Sequence, residues 1–395
     1  MHILFCNYEY PPLGGGGGII NALLAEEMAK RHEVTILTSQ GPGLSSESEK
    51  NDVRILRVPV LFRRQHAAAN IPSMLAYLPM GIKAGQKLLK STRYDVINTH
   101  FVLPSGPVGY ALSRFAKIPN ILSVHGGDLY DPSKWTSPHR HTALRVWIRM
   151  LLRSADRVVV QSHNTLKNMH KFYDPEILAE KIPLGIKQPP VEVGVRHDYG
   201  FGQKDVLLIT VGRLVTRKAV DQLISLIKNL NAAHVHLLII GTGPQEQALR
   251  RKASALQISE RIHFLGQVEE SEKCKLLRMC DIYVSTSQHE GFGLVFLEAM
   301  ASGLPIICYD YGGQTDFLEN DYTGYLIQLN DQVSLAHCCQ RLIFNADSRR
   351  RIGQENQRRV EDFYIDRCAA HYENLFSEVI KDTRKYQING HPNWL

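Results

Sequence analysis

The sequence predicts an α/β protein of two Rossmann-like domains whose parallel sheets face each other across a cleft. Three observations carry this. The chain opens β-α-β: an apolar strand His2 to Tyr8, a glycine-rich turn Pro11 to Gly18, a helix from about Ile19 to Arg31, and a strand Glu33 to Thr38. The layout repeats from Val206, with turns Gly212-Arg213-Leu214 and Gly241-Thr242-Gly243 after successive strands. Between the halves, Ile182 to Pro190 gathers prolines and a glycine and ends the regular pattern, as a hinge would. A chain of 395 residues accommodates two domains of ordinary size. The expected division is 1–187, 188–365 and a last helix within 366–395.

In the first half, Arg54 to Val60, Tyr94 to Thr99, Asn120 to Val124 and Val158 to Gln161 read as further strands, and Gly106 to Phe115 as a helix. His125-Gly-Gly-Asp128 follows a strand's C-terminal end, where open α/β sheets place ligands. Residues 62–90 set Arg63, Arg64, Lys83, Lys87 and Lys90 among apolar side chains, and Pro72 and Pro79 are expected to break the segment into pieces. It reads equally as a surface for a membrane interface or as a packed helix with a solvated basic edge. In the second half, strands Val206 to Val211, Val235 to Ile240, Ile262 to Leu265, Asp281 to Ser285 and Pro305 to Tyr309 alternate with helices. Glu361 to Ile380 is the last long helix.

Composition narrows the function. An apolar fraction of 44% with 22% charged residues describes a globular protein, and no apolar run is long enough to span a bilayer. Met1 to Cys6 lacks the flanks of a signal peptide, so a cytoplasmic location is expected. Seven cysteines, scattered and without C-x-x-C, read as reduced thiols, and no zinc spacing occurs. The net charge of +7 is uneven: residues 1–190 hold 23 Lys/Arg against 14 Asp/Glu, residues 191–395 hold 23 against 25. A basic first half suits an anionic membrane surface or an acidic, lipid-linked acceptor; no nucleic-acid signature accompanies it. Nicotinamide chemistry is disfavoured. The sixth position of G-x-G-x-x-G falls on Ile19, Ile20 or Asn21 in the first half and on Glu246 in the second.

The most informative stretch is Glu290 to Pro305, E-G-F-G-L-V-F-L-E-A-M-A-S-G-L-P. A buried strand precedes it, Gly291 and Gly293 turn the backbone, and a helix begins at Leu294. That arrangement offers helix N-terminal amides to phosphate and two carboxylates, Glu290 and Glu298, to hydroxyls, which suits a sugar nucleotide. Arg213 and Lys218 follow another strand end at short spacing, and two fixed cations can stabilise a leaving diphosphate. No D-x-D metal clamp is present.

E-x7-E with G-F-G-L inside and A-S-G-L-P after it, together with G-R-L and Lys218, resembles the family-4 retaining glycosyltransferases of the GT-B fold. The resemblance spans nearly the whole chain. It implies transfer of a hexose-type sugar from a UDP- or GDP-sugar to a glycan, glycolipid or small acceptor, with no metal or other cofactor. Arg213 and Lys218 would hold the diphosphate, Glu298 the ribose hydroxyls and Glu290 the sugar hydroxyls. Gly291, Phe292, Gly293 and Leu294 would lend amides, and Phe264 to Val268, including Gly266 and Val268, would hold the base. His125 would touch the sugar near the reacting carbon. Gly15 and Gly16, in the run of five glycines, suit close approach of backbone to a diphosphate or acceptor. The last helix would cross back onto the first domain. Attack on the sugar is expected from the front face, with Glu290 as covalent nucleophile the rival. A GT-B-fold epimerase and a non-catalytic sugar-nucleotide-binding subunit are the alternatives. Leu184 and Lys187 replace the family's hinge asparagine and aspartate, and Asp316 stands where glutamate is common.

Overall fold

The computed structural model describes residues 1–63 and 70–389. Two compact units result, one of Met1–Gly185 with the chain from Ile365 onward, the other of Ile186–Tyr364.

The first unit runs β1 (His2–Asn7), α1 (Gly16–Ala29), β2 (Glu33–Ser39), β3 (Glu47–Lys50), β4 (Val53–Val58), α2 (Ile71–Ser91), β5 (Val96–His100), α3 (Ser105–Ala116), β6 (Asn120–Val124), α4 (Thr142–Ser154), β7 (Arg157–Val160), α5 (His163–Phe172) and β8 (Ala179–Lys181). Its strands order β3-β4-β2-β1-β5-β6-β7-β8. All pair in parallel except β3, which lies antiparallel on β4. Parallel strands covered on both faces must be apolar throughout, and β5 and β6 are buried along their whole length. The charged edge strand β3 has no apolar alternation to betray it.

Two expectations are corrected here. The glycine run is not all loop: α1 begins at Gly16, with Gly15 as its N-cap. A Cβ at Gly17 would fall inside the Phe101 ring, so the run lets α1 pack tightly there. The segment 71–91 is also one continuous helix of 21 residues, not pieces. Pro72 sits in the first turn, where its missing N–H costs nothing. Pro79 lies on the exposed face, where the carbonyl it leaves unpaired, one turn back at Leu75, reaches water. Asn70 and Ser73 close a reciprocal cap at its start.

The second unit runs β9 (Val206–Val211), α6 (Val220–Leu230), β10 (Val235–Ile240), α7 (Glu246–Ala255), β11 (Ile262–Gly266), α8 (Glu270–Met279), β12 (Ile282–Ser285), α9 (Leu294–Ala301), β13 (Ile306–Tyr309), β14 (Gly324–Ile327), α10 (Gln332–Ile343) and α11 (Ala346–Arg359). The sheet order is β11-β10-β9-β12-β13-β14, all parallel.

The last helix, α12 (Ile365–Asn389), packs on α1 in the first unit. Its start falls at Ile365, later than expected, because residues 360–363 form a separate tight turn. Cys368, Ala369, Tyr372, Leu375, Phe376 and Val379 are buried at helical spacing. Arg31, in the loop after α1, grips Glu373 through Nε and Nη2 at 3.0 and 2.9 Å. Both sheets reverse strand order, at β1/β5 and at β9/β12. Crevices for ligands open at the carboxyl ends of the strands at such points.

Candidate active site

At the β9/β12 switch of the second unit, the two loops expected to carry chemistry meet. After β9 the backbone turns at Gly212, φ +155°, where a Cβ would press on the Lys218 side chain at 3.1 Å. Leu214 anchors the turn in the core while Arg213 points outward, exposed. The Arg213 side chain has no hydrogen-bond or ion-pair partner among the described residues. Lys218 ends a single helical turn, Thr216–Lys218, and donates through Nζ to Glu290 Oε1.

Glu290 is buried at the end of the loop that leaves β12. Thr286 Oγ1 donates to the Ala219 carbonyl at 2.8 Å, and the Gln288 N–H donates to the Arg217 carbonyl at 2.8 Å, so the two loops are stitched together. Arg217 donates to the His289 carbonyl and lies 3.4 Å from Glu290 Oε2. Arg217 is thus a second cation on Glu290. Burial by itself would raise the Glu290 carboxyl, but Lys218 and Arg217 outweigh it and hold it at about 2.

Gly291 to Leu294 form the following turn. Phe292 is buried against Phe317, ring centroids 5.1 Å apart. Gly293 caps α9 at φ +97°, with the Phe296 ring where a side chain would go. No side chain caps this helix and no acidic residue stands in its first turn, so its amide end is open to an anion. The Gly313 N–H donates to the Glu290 carbonyl at 2.8 Å and supports the turn from below.

Glu298 lies within α9, half-buried, and Lys273 of α8 reaches its Oε2 at 2.9 Å. Lys273 also sits 2.9 Å from Glu270. Burial raises the Glu298 carboxyl, with Lys273 working against it. Nothing in the sequence pointed to Lys273. Gly266 ends β11 at φ +68°, with open space where a side chain would stand, and its carbonyl accepts from the Gly241 N–H at 2.7 Å. Val268 follows it, half-buried.

His125, Gly15 and Gly16 belong to the first unit, at the β1/β5 switch. A Cβ on Gly15 or Gly16 would meet nothing within 4 Å, so packing does not demand glycine at either position. His125 lies against Phe101, ring centroids 4.3 Å apart, and donates its backbone N–H to Asp128 Oδ1 at 2.9 Å. Burial lowers its imidazole to about 3, so it is neutral at pH 7, and raises the Asp128 carboxyl to about 6. Arg63 does not face solvent: it is buried, donates to Ser39 Oγ at 2.9 Å and covers the Tyr8 ring. Arg64 lies outside the described residues.

A model described as glycosyl transferases group 1 matches residues 195–359, and one described as glycosyltransferase family 4 matches residues 14–187. N-acetyl-alpha-D-glucosaminyl L-malate synthase of Bacillus anthracis is 24% identical, over 96% of this chain and 98% of its own. Among solved structures, sucrose-phosphate synthase from Thermosynechococcus elongatus aligns with a TM-score of 0.84 at 22% identity, covering 96% of this chain and 99% of that one. Anabaena HepE in complex with UDP-glucose aligns with a TM-score of 0.75 at 19% identity, covering 96% and 100%. With two parallel-sheet domains of this topology and family matches along most of its length, the chain belongs to the family-4 glycosyltransferases and has their GT-B fold.

Proposed function

We propose that this glycosyltransferase moves a hexose-type sugar from a UDP- or GDP-sugar, with retention and without a metal, to a glycan, glycolipid or small acceptor. The observation that carries this is the Lys218–Glu290 pair with the unpartnered Arg213 beside it. Lys218 neutralises Glu290 in the structure. A donor diphosphate gives Lys218 and Arg213 a doubly charged partner, and the open amide end of α9 adds to it. Glu290, released from Lys218 but still held by Arg217, then accepts hydroxyls of the sugar. Glu298 does the same for the ribose. Charge that develops on the departing diphosphate meets cations already in place, which is where such catalysis gains most. His125 contributes an imidazole to the sugar.

UDP is the favoured nucleotide because HepE was solved with UDP-glucose. A small acceptor has a precedent in the L-malate named for the Bacillus anthracis relative. For a lipid-linked acceptor, the outer face of α2 together with Phe62 supplies a docking surface. Phe62, Ile71, Leu75 and Met80 are exposed at one end, and Lys83 and Lys87 at the other. No helix of the described residues is long and apolar enough to cross a membrane.

The test is a thermal-shift screen of UDP-, GDP- and ADP-sugars in EDTA, followed by NMR of the product anomer. Stabilisation by one nucleotide series and a product with the donor's anomeric configuration support the reading. No shift with any series, or an inverted product, would sink it.

A further inference from the structure

Behind His125 runs a chain of four buried polar side chains from three separate elements of the first unit. Tyr372 on α12 donates through its hydroxyl to Ser123 Oγ at 3.0 Å, across 249 residues of sequence. Ser123 on β6 donates to Asn98 Oδ1 at 3.4 Å. Asn98 on β5 reaches His100 Nε2 through Nδ2 at 2.9 Å. His100 Nδ1 lies 2.9 Å from His125 Nε2.

Proton positions follow from donor and acceptor chemistry. An amide nitrogen only donates, so His100 Nε2 accepts from Asn98 and carries no proton. A neutral His100 then holds its proton on Nδ1 and donates it to His125 Nε2. That nitrogen is therefore bare, and the single proton of a neutral His125 sits on Nδ1. Nδ1 has no hydrogen-bond partner among the described residues.

We infer that Tyr372, Ser123, Asn98 and His100 form a positioning relay that locks His125 in its Nδ1–H tautomer, so that it presents a hydrogen-bond donor to the sugar. The relay explains why four polar groups that would otherwise weaken a core are buried here: each satisfies the next. It rests on the reading of His125 as a sugar contact only for its consequence; the tautomer stands on geometry. His100 and His125 are both neutral at pH 7 because burial disfavours their charged forms. Among the described residues the groups around them are Phe101, Asp128, Tyr372 and Phe5, of which Asp128 is the charged one. His125 thus serves as a fixed dipole and not as a proton carrier.

The experiment is ¹⁵N NMR of the full chain labelled at histidine, with His125 and His100 assigned by difference from His125→Ala and His100→Phe. The wild type should show protonated Nδ1 and unprotonated Nε2 on His125, unchanged from pH 6 to 8.5. A proton on Nε2, or both nitrogens at an exchange average, overturns the relay. Ser123→Ala frees the Asn98 amide to turn over and should populate the second tautomer. Sugar transfer should then fall in proportion to the lost Nδ1–H fraction, about twofold for an even mixture. A single unchanged tautomer in Ser123→Ala also overturns it. If the tautomer is as stated but His125→Ala transfers sugar at the wild-type rate, the relay stands and the sugar contact falls.

Discussion

Lys218→Ala should destabilise the second unit in a way that depends on pH. Glu290 and Lys218 are both largely buried, with side chains 10% and 15% exposed, so solvent screens their pairing little. Lowering a carboxyl from its ordinary 4.5 to about 2 corresponds to roughly 3 kcal/mol, at about 1.4 kcal/mol per tenfold in acidity. Because the folded value is depressed, this stabilisation is complete above pH 4.5 and disappears as the pH falls through 2. Without Lys218, Arg217 at 3.4 Å is the remaining cation on Glu290, and burial drives the carboxyl upward. The gap between wild type and variant should therefore be widest near neutrality, on the order of 3 kcal/mol, and should narrow steadily below pH 5. Calorimetric melting from pH 7.5 to 3.5 reads it. Adding Glu290→Gln to Lys218→Ala removes the uncompensated carboxylate and should recover more than half of the loss. A gap below about 1 kcal/mol, or one that does not change with pH, would refute the argument, as would a double variant no more stable than Lys218→Ala alone.

Three further outcomes follow from the same site. Glu290→Gln frees Lys218 for the diphosphate, so calorimetric affinity for free UDP should hold or rise while the initial rate of transfer falls about 100-fold; weaker UDP binding would contradict this. Lys273→Met should loosen nucleotide binding more at low pH than at high pH, since its loss lets burial raise the Glu298 carboxyl further; Lys273→Arg should resemble wild type throughout. Replacing Lys83 and Lys87 with glutamine should abolish low-salt flotation with anionic vesicles and leave UDP binding intact, each cation near such a surface being worth about 1 kcal/mol; a wild type that ignores those vesicles ends the membrane reading.

Local chemistry explains which features were legible in the sequence. Gly212, Arg213, Lys218 and the span Glu290 to Glu298 each follow a strand end, where apolar runs give way to glycine and charge within a few residues. The pattern places both loops at strand ends, and the sheet order sets those ends side by side. Partners supplied by a different element left no such mark. Lys273 reads in sequence as a charge on an amphipathic helix, and only the packing of α8 against α9 brings it to Glu298. Arg217 looks like a neighbour of Lys218 until the Glu290 loop closes over it. Asn98, His100, Ser123 and Tyr372 are ordinary polar residues of buried elements until four hydrogen bonds link them to one another and to His125. The α2 helix defied its prolines because position on the solvent face, not residue type alone, decides what proline costs.

The proposed function depends most on displacement of Glu290 by a nucleotide diphosphate as the partner of Lys218, with Arg213 joining it. Titration calorimetry of UDP and GDP in EDTA, against wild type, Arg213→Ala and Lys218→Ala, tests it directly. One nucleotide should bind wild type without metal and lose on the order of 100-fold in affinity in each variant. Equal affinity in all three proteins, or binding that appears only when a divalent cation is restored, would contradict it.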